Sequence, residues 1–301
     1  YYLRAAIYRS LEQPDEAEKD LLQALSLRPE VDDARSALID LYLYRKQTRK
    51  ALKYVEEEID KEPQEPMPYL HLADVHRTAG RHDQAIEAVN LALEQDPNLP
   101  EAYIRLGELW LEEGVRRGDH IAFEKAVTAL DSAAKMNPDS GRAALALGRA
   151  CLAVEDEERA FLELGRAAEA TPIQAEAHRL LGDLYQARGD YAEAVTAYHI
   201  YLKLKGEVPA VLEQLGDAYF KSDNIETAIA TYLQLVELEP RRATPYIKTA
   251  RALIQAGESR AAERICRRGL SLNPQNEALQ NILVQLTDPV ANPEEAVGNH
   301  A

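Results

Sequence analysis

Histidine, cysteine and closely spaced carboxylates carry much of protein chemistry, and this chain uses the first two sparingly. Its seven histidines are His71, His76, His82, His120, His178, His199 and His300. No two have the HExxH spacing that sets a pair of imidazoles around zinc on one helical face, and no cysteine is near a histidine in sequence. His71 and Asp74 share a helical face at i,i+3, but two ligands without a third leave a structural or solvated role. Cys151 and Cys266 make no disulfide framework. There is no glycine-rich phosphate loop and no G-x-S-x-G elbow. The acidic residues are numerous, but on exposed helix faces they are solvation. The expectation is a non-enzyme with no cofactor and no bound metal.

Composition narrows the class of partner. Among 301 residues, 51 acidic against 35 basic give a net charge of −16. That balance disfavours nucleic acid and anionic membrane surfaces, which reward Lys and Arg. It suits a protein or peptide partner with basic residues, or serves solubility alone. No run of about 18 apolar residues occurs, so direct membrane insertion by this segment is not expected. The chain opens on Tyr1-Tyr2-Leu3 rather than Met, and no signal peptide is expected within it. A cytoplasmic protein is the expectation, with room for a signal or anchor upstream.

The elements that must position any site are repeated. "LGDLYQARGDYAEAVTAY" (181–198) returns 34 residues later as "LGDAYFKSDNIETAIATY" (215–232). Pro29, Pro63, Pro97, Pro138, Pro172, Pro240 and Pro274 mark the same period, with Gly206 where one proline is missing. Twelve residues before each mark stands an alanine: Ala17, Ala51, Ala85, Ala126, Ala160, Ala194, Ala228 and Ala262. A small residue recurs at Ala5, Ala73, Gly107, Gly148, Gly182, Gly216 and Ala250, with Ile39 the exception. A larger one follows three later, at Tyr8, Tyr42, His76, Trp110, Cys151, Tyr185, Tyr219 and Leu253. Apolar residues three and four apart predict helices. Gly80, Gly189 and Gly257 fall where the first helix of a copy should end in a left-handed residue. Each proline should close the second helix. The Arg-Gly-Asp triplets at 117–119 and 188–190 are then a helix stop followed by an N-cap, not adhesion motifs.

This pattern resembles the tetratricopeptide repeat family, W-x2-L-G-x2-Y, A-x3-F, P. "YIRLGELW" at 103–110 and the two 18-residue copies carry the resemblance best. It implies an all-α, right-handed superhelical solenoid whose concave face is lined by the first helix of each pair. Eight repeats are expected, at about 1–31, 32–65, 66–99, 100–140, 141–174, 175–208, 209–242 and 243–275. A capping helix should follow at 276–286, then a disordered, Pro-interrupted tail at 287–301. Tyr1 falls several residues into its helix in this register, so the chain is expected to continue upstream.

Two copies depart from the pattern. The fourth has seven extra residues around "EEGVRRGDHI" (112–121), close to two helical turns, so each helix of that pair could gain about one turn. The insertion is either a tolerated loop or a partner contact. In the sixth, Tyr201 replaces a small residue and Gly206 the proline, implying local repacking or a bend.

Beside each small slot the family directs a side chain to the concave face. Those residues are Ala6, Asp40, Asp74, Glu108, Arg149, Asp183, Asp217 and Arg251. Neighbouring slots add Tyr2, Tyr44, Leu70, Arg77, Ile104, Arg179, Gln186, Phe220, Lys221 and Lys248. The resemblance implies a groove for a partner peptide, with Asp40, Asp74 and Glu108 as a like-charged, mutually repelling acidic stripe. Solvated repeat vocabulary explains the same carboxylates. The face has no Asn and only isolated lysines, which disfavours the family's Lys/Asn/Arg clamp for chaperone C-termini. The function expected is a protein-binding scaffold within a multiprotein assembly. The alternatives are the repeat arm of a longer enzyme such as a glycosyltransferase, and an envelope component of secretion or polysaccharide export.

Overall fold

The computed structural model describes residues 1–28 and 32–287. Seventeen helices account for nearly all of these residues, and no strand occurs among them. In order they are α1 (Tyr2–Ser10), α2 (Pro14–Leu27), α3 (Asp32–Tyr44), α4 (Thr48–Lys61), α5 (Pro66–Thr78), α6 (His82–Gln95), α7 (Pro100–Arg117), α8 (His120–Met136) and α9 (Gly141–Ala153). There follow α10 (Glu157–Glu169), α11 (Ala175–Arg188), α12 (Tyr191–Lys205), α13 (Pro209–Lys221), α14 (Ile225–Leu238), α15 (Ala243–Gln255), α16 (Ser259–Leu272) and α17 (Glu277–Thr287). The chain divides into two compact units, Tyr1–Glu163 and Leu164–Ala301, with the boundary inside α10.

Both units use the same packing. Odd and even helices pair as hairpins, α1 with α2 and α11 with α12, for example, and α2, α4, α6, α8, α12, α14 and α16 each pack on the next odd helix. Odd helices also touch one another in sequence, α3–α5–α7–α9 in the first unit and α11–α13 in the second. The alanine at each twelve-before-proline slot is the reason the hairpins close. All eight, from Ala17 to Ala262, are 0% exposed. At three of the four glycine slots a neighbour's side chain occupies the Cβ site: Leu130 against Gly107, Tyr198 against Gly182, Tyr232 against Gly216. Ile39 is fully buried as well, so the exception is absorbed by its surroundings.

The turns are more uniform than their residues. Gly80, Gly118, Gly189 and Gly257 take positive φ, and in the other four hairpins Glu12, Lys46, Glu155 and Asp223 take the same left-handed conformation, with φ of 56, 55, 61 and 62°. In the Arg-Gly-Asp triplets, Gly118 and Gly189 are left-handed C-caps, and Asp119 caps α8 by accepting from the Ile121 N–H.

The seven extra residues lengthen both helices of one hairpin. α7 has 18 residues and α8 has 17, against 13 and 14 in α5 and α6. At the lengthened tip Gly114 lies against the Phe123 ring, and Glu113 is buried beneath Arg116 and Arg117. Tyr201 is half-buried and packs against the cluster of Ala194, Tyr198, Val211 and Leu215. The capping helix is present as α17, with Leu279 and Ile282 buried against Tyr246 and Cys266; it includes Thr287, which was expected in the tail. Residues 288–301 lie outside the described residues, as does the proline mark at 29. No described helix is long and apolar enough to cross a membrane.

Candidate partner-binding face

In the first unit Asp74 and Glu108 of the expected acidic stripe stand in an ion-pair lattice, while the charge of Asp40 still raises Asp74 as a repelling neighbour. Asp74 on α5 meets Arg105 on α7 at 3.1 Å, and Arg105 also holds Glu101 at 2.5 Å. Arg77 on α5 reaches across to Glu108 at 3.6 Å and to Glu112. Arg142 on α9 returns to Glu108 at 3.0 Å and Glu101 at 2.6 Å. Three guanidinium groups thus serve four carboxylates over three successive helices. Burial raises the Asp74 carboxyl above its ordinary pKa even though Arg105 opposes it. Burial likewise works against the charged form of Arg77, yet its bonds to Glu112 prevail and raise it. Asp40 on α3 and Arg149 on α9 are exposed and make no ion pair among the described residues; Tyr44 is 77% exposed. Leu70 and Ile104, expected on the face, are buried core residues, because their positions turn toward the adjoining hairpin.

The second unit uses a different device twice. The carboxylate of Asp183 accepts from the Tyr198 hydroxyl at 2.8 Å, from Gln214 at 2.7 Å and from Arg179 at 2.7 Å. Asp217 accepts from the Tyr232 hydroxyl at 2.7 Å and from Lys248 at 2.6 Å. Lys248 also pairs with Glu213 at 2.8 Å. Burial, then the bond to the aspartate, raises both tyrosine hydroxyls far above their ordinary pKa. Burial also raises Asp183 against the pull of its donors. Gln186 lies at the edge of this tie, its oxygen 3.4 Å from the Tyr198 hydroxyl. Phe220 packs half-buried against Tyr232 and Ala252. Lys221 is exposed, its ammonium 5.9 Å from the Tyr191 ring, and Arg251 is exposed beside Asn281 and Gln285 of α17.

Glu101, Arg105, Glu112, Arg142, Glu213 and Gln214 were missed by the slot-by-slot reading. Four of the contacts share one spacing: Asp74–Arg105, Arg77–Glu108, Asp183–Gln214 and Asp217–Lys248 are each 31 residues apart. That is one repeat less about one helical turn, so a face residue meets the next helix one turn before its own equivalent. A search for complementary polar pairs at that interval finds them. Among the described residues no group of three or more His, Cys, Asp or Glu could hold a metal ion.

Tetratricopeptide repeat profiles match residues 1–31, 66–109 and, in overlapping pairs, 122–277. The chain belongs to the tetratricopeptide repeat family, a fold of the protein-interaction scaffold type. It is 27% identical over 124 residues to the mouse protein O-mannosyl-transferase TMTC1, and 25% identical over 143 residues to the human one. Those stretches are 41 and 48% of this chain but 13 and 16% of the relatives' length. A chain in the crystal structure of the APC/C hetero-tetramer Cut9–Hcn1 superposes with a TM-score of 0.59 at 16% identity, over 91% of this chain and 53% of that one. MamA superposes at 0.51 and 25% identity, over 60% of this chain and 94% of its own.

Proposed function

We propose that this chain is a non-catalytic scaffold that holds a protein or peptide partner on the face of its odd-numbered helices, within a multiprotein assembly in the cytoplasm. The observation that carries the reading is the lattice on α5, α7 and α9. Its carboxylates stand fixed in position, while Arg77 and Arg142 remain over a third exposed in their side chains. A partner's Lys or Arg can replace them without leaving a buried charge unpaired, and exposed pairs of this kind cost little to exchange. Asp40, Tyr44 and Arg149 extend this face in the first unit; in the second, Gln186, Phe220, Lys221 and Arg251 belong to a face of its own. The test is capture from native extract by the chain and by its Asp40→Asn/Asp74→Asn/Glu108→Gln variant. The same proteins should be lost from the variant and from the parent chain at raised salt, because exposed charge attraction is screened. Capture that survives both treatments removes the reading.

A second reading is favoured by the similarity to the O-mannosyl-transferases: the chain would be the repeat arm of a longer enzyme. The full coding sequence discriminates, since this reading requires a catalytic domain on the same polypeptide.

A further inference from the structure

The eighth hairpin reverses the charge of the chain. Residues 241–273 hold eight basic side chains and two acidic ones, a net of +6, which leaves −22 on the rest. Four of the eight lie on α16. Arg260, Arg264, Arg267 and Arg268 fall at i, i+4, i+7 and i+8, one stripe about 100° wide at 100° per residue. The opposite side of the helix is the one that packs, through Ala262, Cys266 and Gly269.

All four arginines are exposed. Arg260 and Arg264 make no side-chain ion pair or hydrogen bond among the described residues. Arg267 is held by Glu263 one turn back at 2.7 Å, and Arg268 by Glu237 of α14 at 2.8 Å. The Arg268 guanidinium also lies 6.0 Å from the Tyr246 ring. Both pairs are exposed and exchangeable at little cost. Nothing in the packing calls for Arg260 or Arg264. The solvent faces of α4 and α6 carry mixed or acidic residues instead, as at Lys53, Glu56, Glu57 and Asp60 on α4 and Asp83, Glu87 and Glu94 on α6.

We propose that the outer face of α16 is a docking site for an acidic polypeptide segment. Four guanidinium groups along about 12 Å of helix match carboxylates spaced along an extended or helical peptide, and guanidinium–carboxylate pairs can be bidentate. Charges farther apart than the Debye length, about 8 Å at physiological ionic strength, are largely screened. The sign of the stripe therefore decides what docks there, not the net charge of the chain. A peptide is favoured over nucleic acid or an anionic vesicle because it can cover a stripe of about 12 Å alone, whereas the extended anions would reach past the eighth hairpin onto the rest of the chain, whose net charge is −22. This site is separate from the odd-helix face and stands or falls independently of it.

The test is fluorescence anisotropy with the full chain and a labelled Glu/Asp-rich peptide that lacks Lys and Arg. Binding should be saturable and should weaken with salt. Arg260→Gln/Arg264→Gln should weaken it by about tenfold or more, the scale of losing two charge-assisted contacts. Arg260→Lys/Arg264→Lys should retain most of it, and Arg49→Gln, at an exposed position on α4, should leave it unchanged. Circular dichroism checks that each variant is folded. The proposal is overturned if the peptide does not bind, if the double Gln variant binds as the parent does, or if a single-stranded oligonucleotide or phosphatidylserine vesicle binds the stripe more tightly than the peptide.

Discussion

The Tyr198 hydroxyl donates to Asp183 across a hairpin at 2.8 Å, and the ring that carries it lies over Gly182, where a Cβ would come within 2.5 Å of Cε1. Tyr232, Asp217 and Gly216 repeat the arrangement 34 residues on. The Gly-Asp dipeptide and the tyrosine sixteen residues after the glycine are thus one device. Glycine admits the ring, the ring fills the space between two helices, and the aspartate satisfies a hydroxyl that would otherwise be buried unpaired. Tyr198→Phe and Tyr232→Phe should each cost about 1.5–3 kcal/mol, the range for one hydrogen bond to a charged acceptor. Gly182→Ala should cost about 1–3 kcal/mol by overpacking. Urea denaturation with hydrogen exchange on α11–α14 measures both, and an unchanged Phe variant would remove the tie from the account of stability.

The same device shows where sequence reading stopped. The 34-residue period, the alanine slots and the helical spacing were legible because each is set by contacts within one repeat or with its neighbour. Polar pairing depends on the offset between neighbouring helices, which no single repeat displays. So Asp74 and Glu108 were expected to repel along a stripe, while Arg105 and Arg142, one helix on, neutralise them. Leu70 and Ile104 were placed on the face by slot number, although their apolar character suits the core where they lie. Glycines announced four of the hairpin turns. Glu12, Lys46, Glu155 and Asp223 hid the other four, because hairpin closure forces a left-handed residue whatever its type.

Those four residues carry a conformational cost that glycine would not. A left-handed non-glycine residue is unfavourable by about 1–2 kcal/mol, partly offset by the greater freedom glycine gains in the unfolded chain. Lys46→Gly and Asp223→Gly should therefore stabilise by about 0.5–1 kcal/mol. Lys46→Ala should not, since alanine retains the Cβ. Thermal unfolding separates the two outcomes, and a Gly variant less stable than the parent would mean that Lys46 makes a compensating contact.

Cys151 and Cys266 are fully buried, and burial pushes each thiol up to about 11 from an ordinary value of 9.0. Only about one molecule in ten thousand would carry either thiolate at neutral pH, so labelling by a thiol reagent should wait for local opening and be slow. The folded state binds these protons more tightly than the unfolded chain. Their contribution to stability is complete below about pH 9 and is lost as pH rises toward 11. Cys151→Ala/Cys266→Ala should flatten that alkaline fall. Rapid labelling of both thiols without denaturant would contradict their burial.

Glu113 tests whether the lengthened hairpin is held by charge. Its carboxylate, only 2% exposed, receives three bonds from Arg116, at 2.7, 2.8 and 3.0 Å, and one from Arg117. Burial alone would raise its pKa, but the arginine bonds outweigh it and hold the group below the ordinary carboxylate value. A carboxyl depressed in the folded state stabilises above its unfolded pKa and loses that stabilisation as pH falls through the folded one. The tip of α7 and the start of α8 should therefore loosen in acid before the neighbouring α5–α6 hairpin does. Glu113→Gln keeps the shape and removes the charge; it should cost about 1–2 kcal/mol at neutral pH, with Arg116 and Arg117 half-exposed and able to return to water. It should also abolish the acid-dependent part of the loosening. Hydrogen exchange along 110–123 at neutral and acid pH reads both effects. Equal acid sensitivity in the Gln variant and the parent chain would place the responsible carboxyl elsewhere.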